Sequence, residues 1–257
     1  MTADWATVAV APQLNFPGGQ QAVLILLRWI HLMAGITWIG LLYFFNLVNI
    51  PFLGQLDAGQ RGIVIPRLMP KAMWWFRWSS VVTVLAGISY WNIIVATDAH
   101  NAIAMGYAAS AGRVIGSFFV IWTLAFVAEM GLLMSPAEVL KKGPVFGTIM
   151  AIVVVAASYL FLSLNQEGWE SNRALAIGIG GGLGWFMMLN VWGIVWRMQK
   201  KIILWNTAGA SKGPASAAEG AKVARLSFLA SRLNFWLSFP MLFFMAAASH
   251  YILFTAG

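Results

Sequence analysis

The chain has 257 residues, of which 60% are hydrophobic and only 9% charged, with a mean hydropathy of +0.77 and a formal net charge of +8. This composition excludes an ordinary soluble domain and makes lipid the expected solvent. The absence of cysteine excludes disulfides, iron–sulfur ligation and a covalently attached c-type haem.

Residues 1–21 are expected to form an outer N-terminal segment. They lack a basic start and a sustained apolar run, so no cleaved signal peptide is expected and the first span acts as its own insertion signal. Residues 22–257 form one transmembrane helical domain, with spans expected at 22–46, 74–97, 114–134, 145–164, 174–196 and 228–254. The fold class is therefore all-α, a polytopic bundle of about six helices, each satisfying its own backbone in lipid. After the first span, residues 47–73 carry Pro51, Pro66 and Pro70 among apolar residues, which suggests a short helix lying at the interface. Gly178, Gly180, Gly181, Gly182 and Gly184 in the fifth span indicate close helix approach, since they lack the flanking strand and Lys of a phosphate loop. The segment 207–221 is the one stretch with the composition of a flexible linker.

Thirteen of the sixteen Lys and Arg fall in the loops after spans one, three and five. That alternation places those loops in the cytoplasm and both termini outside, and it argues against nucleic acid as a partner. Trp74, Trp75, Trp78, Trp169, Trp196 and Trp205 lie near span ends, where indoles anchor a helix at the interface. Trp38, Trp122 and Trp192 lie deeper and suit either helix packing or contact with a planar cofactor.

The candidate chemistry centres on His31 in the first span and His250 in the last. From the expected boundaries both lie in the outer half, at depths of roughly 14 and 6 Å. Neighbouring antiparallel helices can then face two imidazoles across a gap, the arrangement of a bis-histidine b-type haem, with iron as the metal. Gly35 and Trp38 share the His31 face, Ala246 and Ala247 are small on the opposing helix, and Arg28 is placed for a haem propionate. Arg28 as a headgroup contact, and both histidines as hydrogen-bonded bundle residues, remain open alternatives. His100, with Asp98 and Asn101, is expected in an outer loop, where it offers a second metal or substrate site. Glu129 in the third span suits a proton path or, near the helix end, contact with water. Asn46, Asn49, Asn190 and Asn234 suit hydrogen bonds between helices. Neither a nucleophile–base pairing nor a zinc spacing is visible.

Four stretches, RWIHLMAGITWIGLLYFFNLVNIP at 28–51, LMPKAMWWFRWSSVVTVLAG at 68–87, LNVWGIVWRMQKKI at 189–202 and SRLNFWLSFPMLFFMAAASH at 231–250, resemble the membrane domain of bacterial membrane-bound urate oxidases. The resemblance is to the urate oxidase N-terminal family. It matches His31, Trp38, Asn46, Asn49, Arg77, Asn190, Lys200, Lys201, Arg232, Asn234 and His250 without giving each a role. It implies a protein of the bacterial inner membrane that takes part in oxidising a small molecule, urate in the named members, and passes electrons to a c-type cytochrome. Family members typically continue into a cytochrome c domain. This sequence ends at Gly257 without cysteine, so the expected acceptor is a separate c-type cytochrome or another subunit of a membrane complex. Three expectations follow: a haem-bearing redox subunit, a urate or purine oxidising enzyme, or a non-catalytic structural or pigment-binding subunit of a respiratory or photosynthetic complex.

Overall fold

The computed structural model describes residues 17–207 and 213–254. Residues 1–16, part of the expected outer segment, and residues 208–212 of the expected linker lie outside the described residues. Among the described residues, six helices are long and apolar enough to cross a membrane. They are α1 (Gly19–Gln55), α2 (Ala58–Ala104), α3 (Ala111–Met134), α4 (Gly143–Asn165), α5 (Asn172–Trp205) and α6 (Ala217–Ala247).

α5 is the axis of the bundle, with 78% of its most apolar window buried, against 6% for α1 at the periphery. Its glycines make that central position possible. A Cβ at Gly182 would lie 1.8 Å from Trp122 Nε1, and one at Gly178 would lie 2.3 Å from Phe161 Cε1. Small residues therefore bring α3 and α4 against the α5 backbone, where dispersion does the work that water exclusion does in soluble proteins. Gly184 meets nothing within 4 Å, so the glycine run is not uniformly a packing surface. Side chains such as Ile36, Val155 and Tyr159, each more than two-thirds exposed, form the lipid-facing belt.

The structure corrects the expected interface helix. Residues from Ala58 onward belong to α2, a single helix of 47 residues that runs through Pro66 and Pro70. An Asp57–Gln60 capping box starts it, Gln60 N–H donating to Asp57 Oδ1 at 2.8 Å and Asp57 N–H to Gln60 Oε1 at 3.0 Å. Ile65, Met69, Met73 and Phe76 recur at helical spacing and are buried, and this packing carries the helix past its two missing N–H donors. At 1.5 Å per residue α2 is about 70 Å long, more than twice a hydrocarbon core of about 30 Å. Its first turns consequently project at the Lys/Arg-rich end, where solvent can satisfy the carbonyls facing the prolines. There Arg77 lies 4.1 Å above the Trp196 ring, and its carbonyl accepts from Trp192 Nε1 at 3.2 Å.

Two spans contain π-helical turns, Phe44–Asn49 in α1 and Val191–Val195 in α5. Each lies beside an asparagine with buried amide contacts. The sixth span is also shorter than expected at its end, because α6 stops at Ala247 and residues 248–250 form a hydrogen-bonded turn. Among the proposed interface tryptophans, Trp74, Trp75 and Trp78 are exposed, whereas Trp169 is buried, its indole N–H facing Glu167 Oε2 at 3.4 Å.

Candidate functional site

α1, α2, α5 and α6, with Phe118 of α3, line a cavity of about 610 Å³ that extends from Tyr43 to Arg28 and His250 at the end remote from the Lys/Arg-rich loops. It lies between α1 and α6 because those helices meet only deeper in the bundle. Tyr43 Oη lies 3.1 Å from Ser238 Oγ, and Asn46 Nδ2 donates to Ser231 Oγ at 3.1 Å. The Tyr43–Ser238 contact forms the floor.

Arg28, His31, Gly35, Trp38 and His250 all line this cavity. His31 is half-buried, with Nδ1 2.7 Å from the Thr83 carbonyl of α2. That oxygen carries no hydrogen, so the imidazole donates from Nδ1. The Nε2 atom has no protein partner among the described residues. Gly87, one turn beyond Thr83, creates the space, since a Cβ there would fall 2.7 Å from His31 Nδ1 and 2.8 Å from Cε1. Neither Thr83 nor Gly87 stands out in the sequence as a partner of His31. Their four-residue spacing within span two was the available signal, but it has meaning only once α1 is known to lie on α2.

Gly35 lines the cavity, and a Cβ there would make only ordinary contact with Thr83 Cγ2 at 3.6 Å, so packing on α2 does not require the glycine. Trp38 is 1% exposed, and its Nε1 is buried without a hydrogen-bond partner on the cavity wall. Trp122 and Trp192 do not line the cavity. His250 is not inside a helix. It lies in the turn after α6, exposed at the cavity mouth, with its N–H donating to the Ala247 carbonyl at 3.0 Å.

Arg28 lines the cavity, whereas Arg173 does not; neither forms an ion pair among the described residues. The Arg173 guanidinium lies 5.0 Å over the Tyr90 ring, itself part of the lining, and its Nε is buried without a partner. Arg173 escaped notice in the sequence because nothing local links the start of span five with Tyr90.

His100 is not a loop residue as expected. It is exposed near the end of α2 and does not line the cavity. Its neighbour Asp98 instead accepts from Ser171 Oγ at 2.6 Å, and Ser171 caps α5 by accepting from Ala174 N–H at 3.1 Å. No group of three His, Cys, Asp or Glu suitable for a metal occurs among the described residues. Glu129, with water contact as one expectation, is 0% exposed and receives Asn190 Nδ2 at 3.0 Å.

The fold and site thus define a polytopic membrane helix bundle with an apolar cavity that carries an oriented histidine and one arginine in its lining. The chain belongs to the urate oxidase N-terminal family, whose model matches residues 52–257. His250, Arg173 and the α2 wall fall within the matched region, whereas His31 precedes it. No curated protein and no solved structure matches the chain.

Proposed function

We propose that this protein is an integral membrane redox subunit in which His31 and His250 would hold a b-type haem in the cavity, and that it passes electrons to a c-type cytochrome or other partner in a membrane complex. The observation that carries this reading is the orientation of His31. Donation from Nδ1 to a backbone carbonyl selects the tautomer with a lone pair on Nε2, the arrangement that supports a metal-ligating imidazole. The donor set fits the group in other respects. The walls are apolar, the buried Trp38 N–H lacks a partner, and Arg28 offers a guanidinium contact to a propionate. When bound, haem supplies a one-electron couple. Tyr43 and Ser238 close the cavity toward the bundle interior, and Trp38 and Trp91 restrict water at its wall. The distribution of basic loops supports a mouth on the outer face of a bacterial inner membrane, where c-type cytochromes reside.

The test is a pyridine haemochrome spectrum of protein purified from haem-replete cells. His31→Ala is expected to lose the haem band, whereas His250→Ala retains haem in a five-coordinate spectrum. Iron-free wild-type protein, or an unchanged spectrum in His31→Ala, refutes the assignment. A second reading, oxidation of urate or a related purine by this chain, is supported by the unpaired Arg28 in the cavity lining, which suits a small anion. It requires urate-dependent cytochrome c reduction by the purified chain.

A further inference from the structure

The buried polar groups below the cavity have an imbalance of their own. α6 presents Ser227, Ser231, Asn234 and Ser238 at spacings of four, three and four residues, which places them along one helix face. Each meets a partner within the bundle. Gln199 Nε2 donates to Ser227 Oγ at 2.9 Å, Asn46 Nδ2 to Ser231 Oγ at 3.1 Å and Asn190 Nδ2 to Asn234 Oδ1 at 3.0 Å, while Ser238 Oγ lies 3.1 Å from Tyr43 Oη. The stripe runs from the Lys/Arg-rich end to the cavity floor.

Glu129 enters this stripe from α3. Asn190 Nδ2 faces three acceptors, Glu129 Oε1 at 3.0 Å, Asn234 Oδ1 at 3.0 Å and the Ala230 carbonyl at 3.1 Å. An amide nitrogen carries only two hydrogens. Glu129 Oε2 and Asn190 Oδ1 are both buried without any partner, and no ion pair reaches Glu129 among the described residues. Turning the Asn190 amide over makes the shortage worse, because its oxygen then faces three others. The cluster therefore lacks a hydrogen. A hard cation generally takes about six or more oxygens, whereas only two are left unpartnered here, so a proton is the better match.

We infer that Glu129 is an intramembrane proton-binding site, exchanging its proton along the α6 stripe with the Lys/Arg-rich end of the bundle. This site goes beyond the haem reading and stands without it. Carboxyl burial without a cation is costly in hydrocarbon unless the group is neutral, and the missing hydrogen belongs where the orphaned acceptors are. The ligand is a proton, and its route passes Ser231–Asn46 and Ser227–Gln199.

Infrared spectroscopy of the full chain in lipid nanodiscs at neutral pH tests the site. Wild type is expected to show a protonated-carboxyl C=O band that shifts in D2O and is lost in Glu129→Gln. If Glu129→Gln does not fold, Glu129→Asp supplies the second readout, because the band then moves instead of vanishing. Gln199→Leu is expected to slow hydrogen–deuterium exchange of this band about tenfold, equivalent to about 1.4 kcal/mol in the barrier. His31→Ala should leave the band in place, so loss of haem and loss of the proton site are separable. The inference is overturned by a wild-type spectrum lacking a Glu129-dependent protonated band, by conversion of the band to carboxylate on adding sodium chloride, or by unchanged exchange in Gln199→Leu.

Discussion

Gly87→Ala places one methyl group where it tests the histidine without touching it chemically. The new Cβ would stand 2.7 Å from His31 Nδ1 and 2.8 Å from Cε1, whereas non-bonded atoms prefer about 3.5 Å. The imidazole must therefore retreat by about 0.8 Å, enough to break its 2.7 Å bond to the Thr83 carbonyl. Losing that bond costs about 0.5–1.5 kcal/mol, while replacing glycine by alanine inside a helix returns about 0.8–1 kcal/mol. Thermal stability is thus expected to change by less than about 1 kcal/mol. If His31 holds haem as proposed, haem affinity is expected to fall about 10–100-fold, because the Thr83 carbonyl no longer orients the imidazole. Titration of haem into apo-protein, followed by absorbance, measures that difference. Gly116→Ala, where a Cβ meets nothing within 4 Å, controls for the general effect of alanine. Equal haem affinity in wild type and Gly87→Ala would refute the claim that Thr83 orients a ligating His31.

Three further outcomes follow from local geometry. Gly182→Ala would bring a methyl to 1.8 Å from Trp122 Nε1 beside the rigid α5 backbone, so overpacking should cost at least about 1–3 kcal/mol and lower the detergent melting temperature. Arg28→Gln removes the arginine of the cavity lining and should weaken haem binding about tenfold or more, measured in the same titration, with no change expected if Arg28 only contacts headgroups. Outside the spans, hydrogen bonding from Arg113 lowers the Glu167 pKa, whereas burial raises that of Glu170. The Glu167 contribution is present above its unfolded pKa and is lost as pH falls through the lower folded value. Glu170 acts in the opposite sense, favouring the fold at low pH and losing that preference as pH rises through its raised value. Amide exchange in residues 166–171 should therefore lose its acid-induced acceleration in Glu167→Gln, while Glu170→Gln should protect the loop at neutral pH.

The number of helices was legible because lipid imposes length and apolarity on each span and the basic loops punctuate them. Helix ends were less legible. Hydropathy carries span six through Ile252 and Leu253, yet backbone hydrogen bonding ends α6 at Ala247 and puts His250 in a turn. Likewise, Pro66 and Pro70 read as breakers, although the buried face of Ile65, Met69 and Met73 keeps α2 continuous. Local signals describe what a proline removes, whereas packing against another helix decides whether that loss matters. The candidate site divides in the same way. His31, Trp38 and Arg28 share a helix and can be grouped from spacing alone, but Gly87 and Thr83 join them only through helix adjacency. Glu129 illustrates the converse error, since its position near a helix end suggested water while Asn190 and α6 cover it.

The cavity is bounded by the helix with the least buried apolar window, and this has an energetic consequence. Lipid tails are as apolar as the α1 surface, so burial alone supplies little force to hold α1 against the bundle. Its polar attachments are His31 to Thr83, Tyr43 to Ser238, Asn46 to Ser231, Asn49 to Met69 and the Leu53 carbonyl to Arg61. At about 0.6 kcal/mol for an average intramembrane hydrogen bond, such contacts make only a modest restraint. All but the first lie at or below the cavity floor, leaving His31 to fasten the upper part of α1. A ligand filling the space would add dispersion contacts to Gly35, Trp38 and Ile39 on α1 as well as to α5 and α6. Ligand binding and closure of α1 onto the bundle are consequently coupled: occupancy should raise protection of α1, and loss of the His31–Thr83 contact should reduce both.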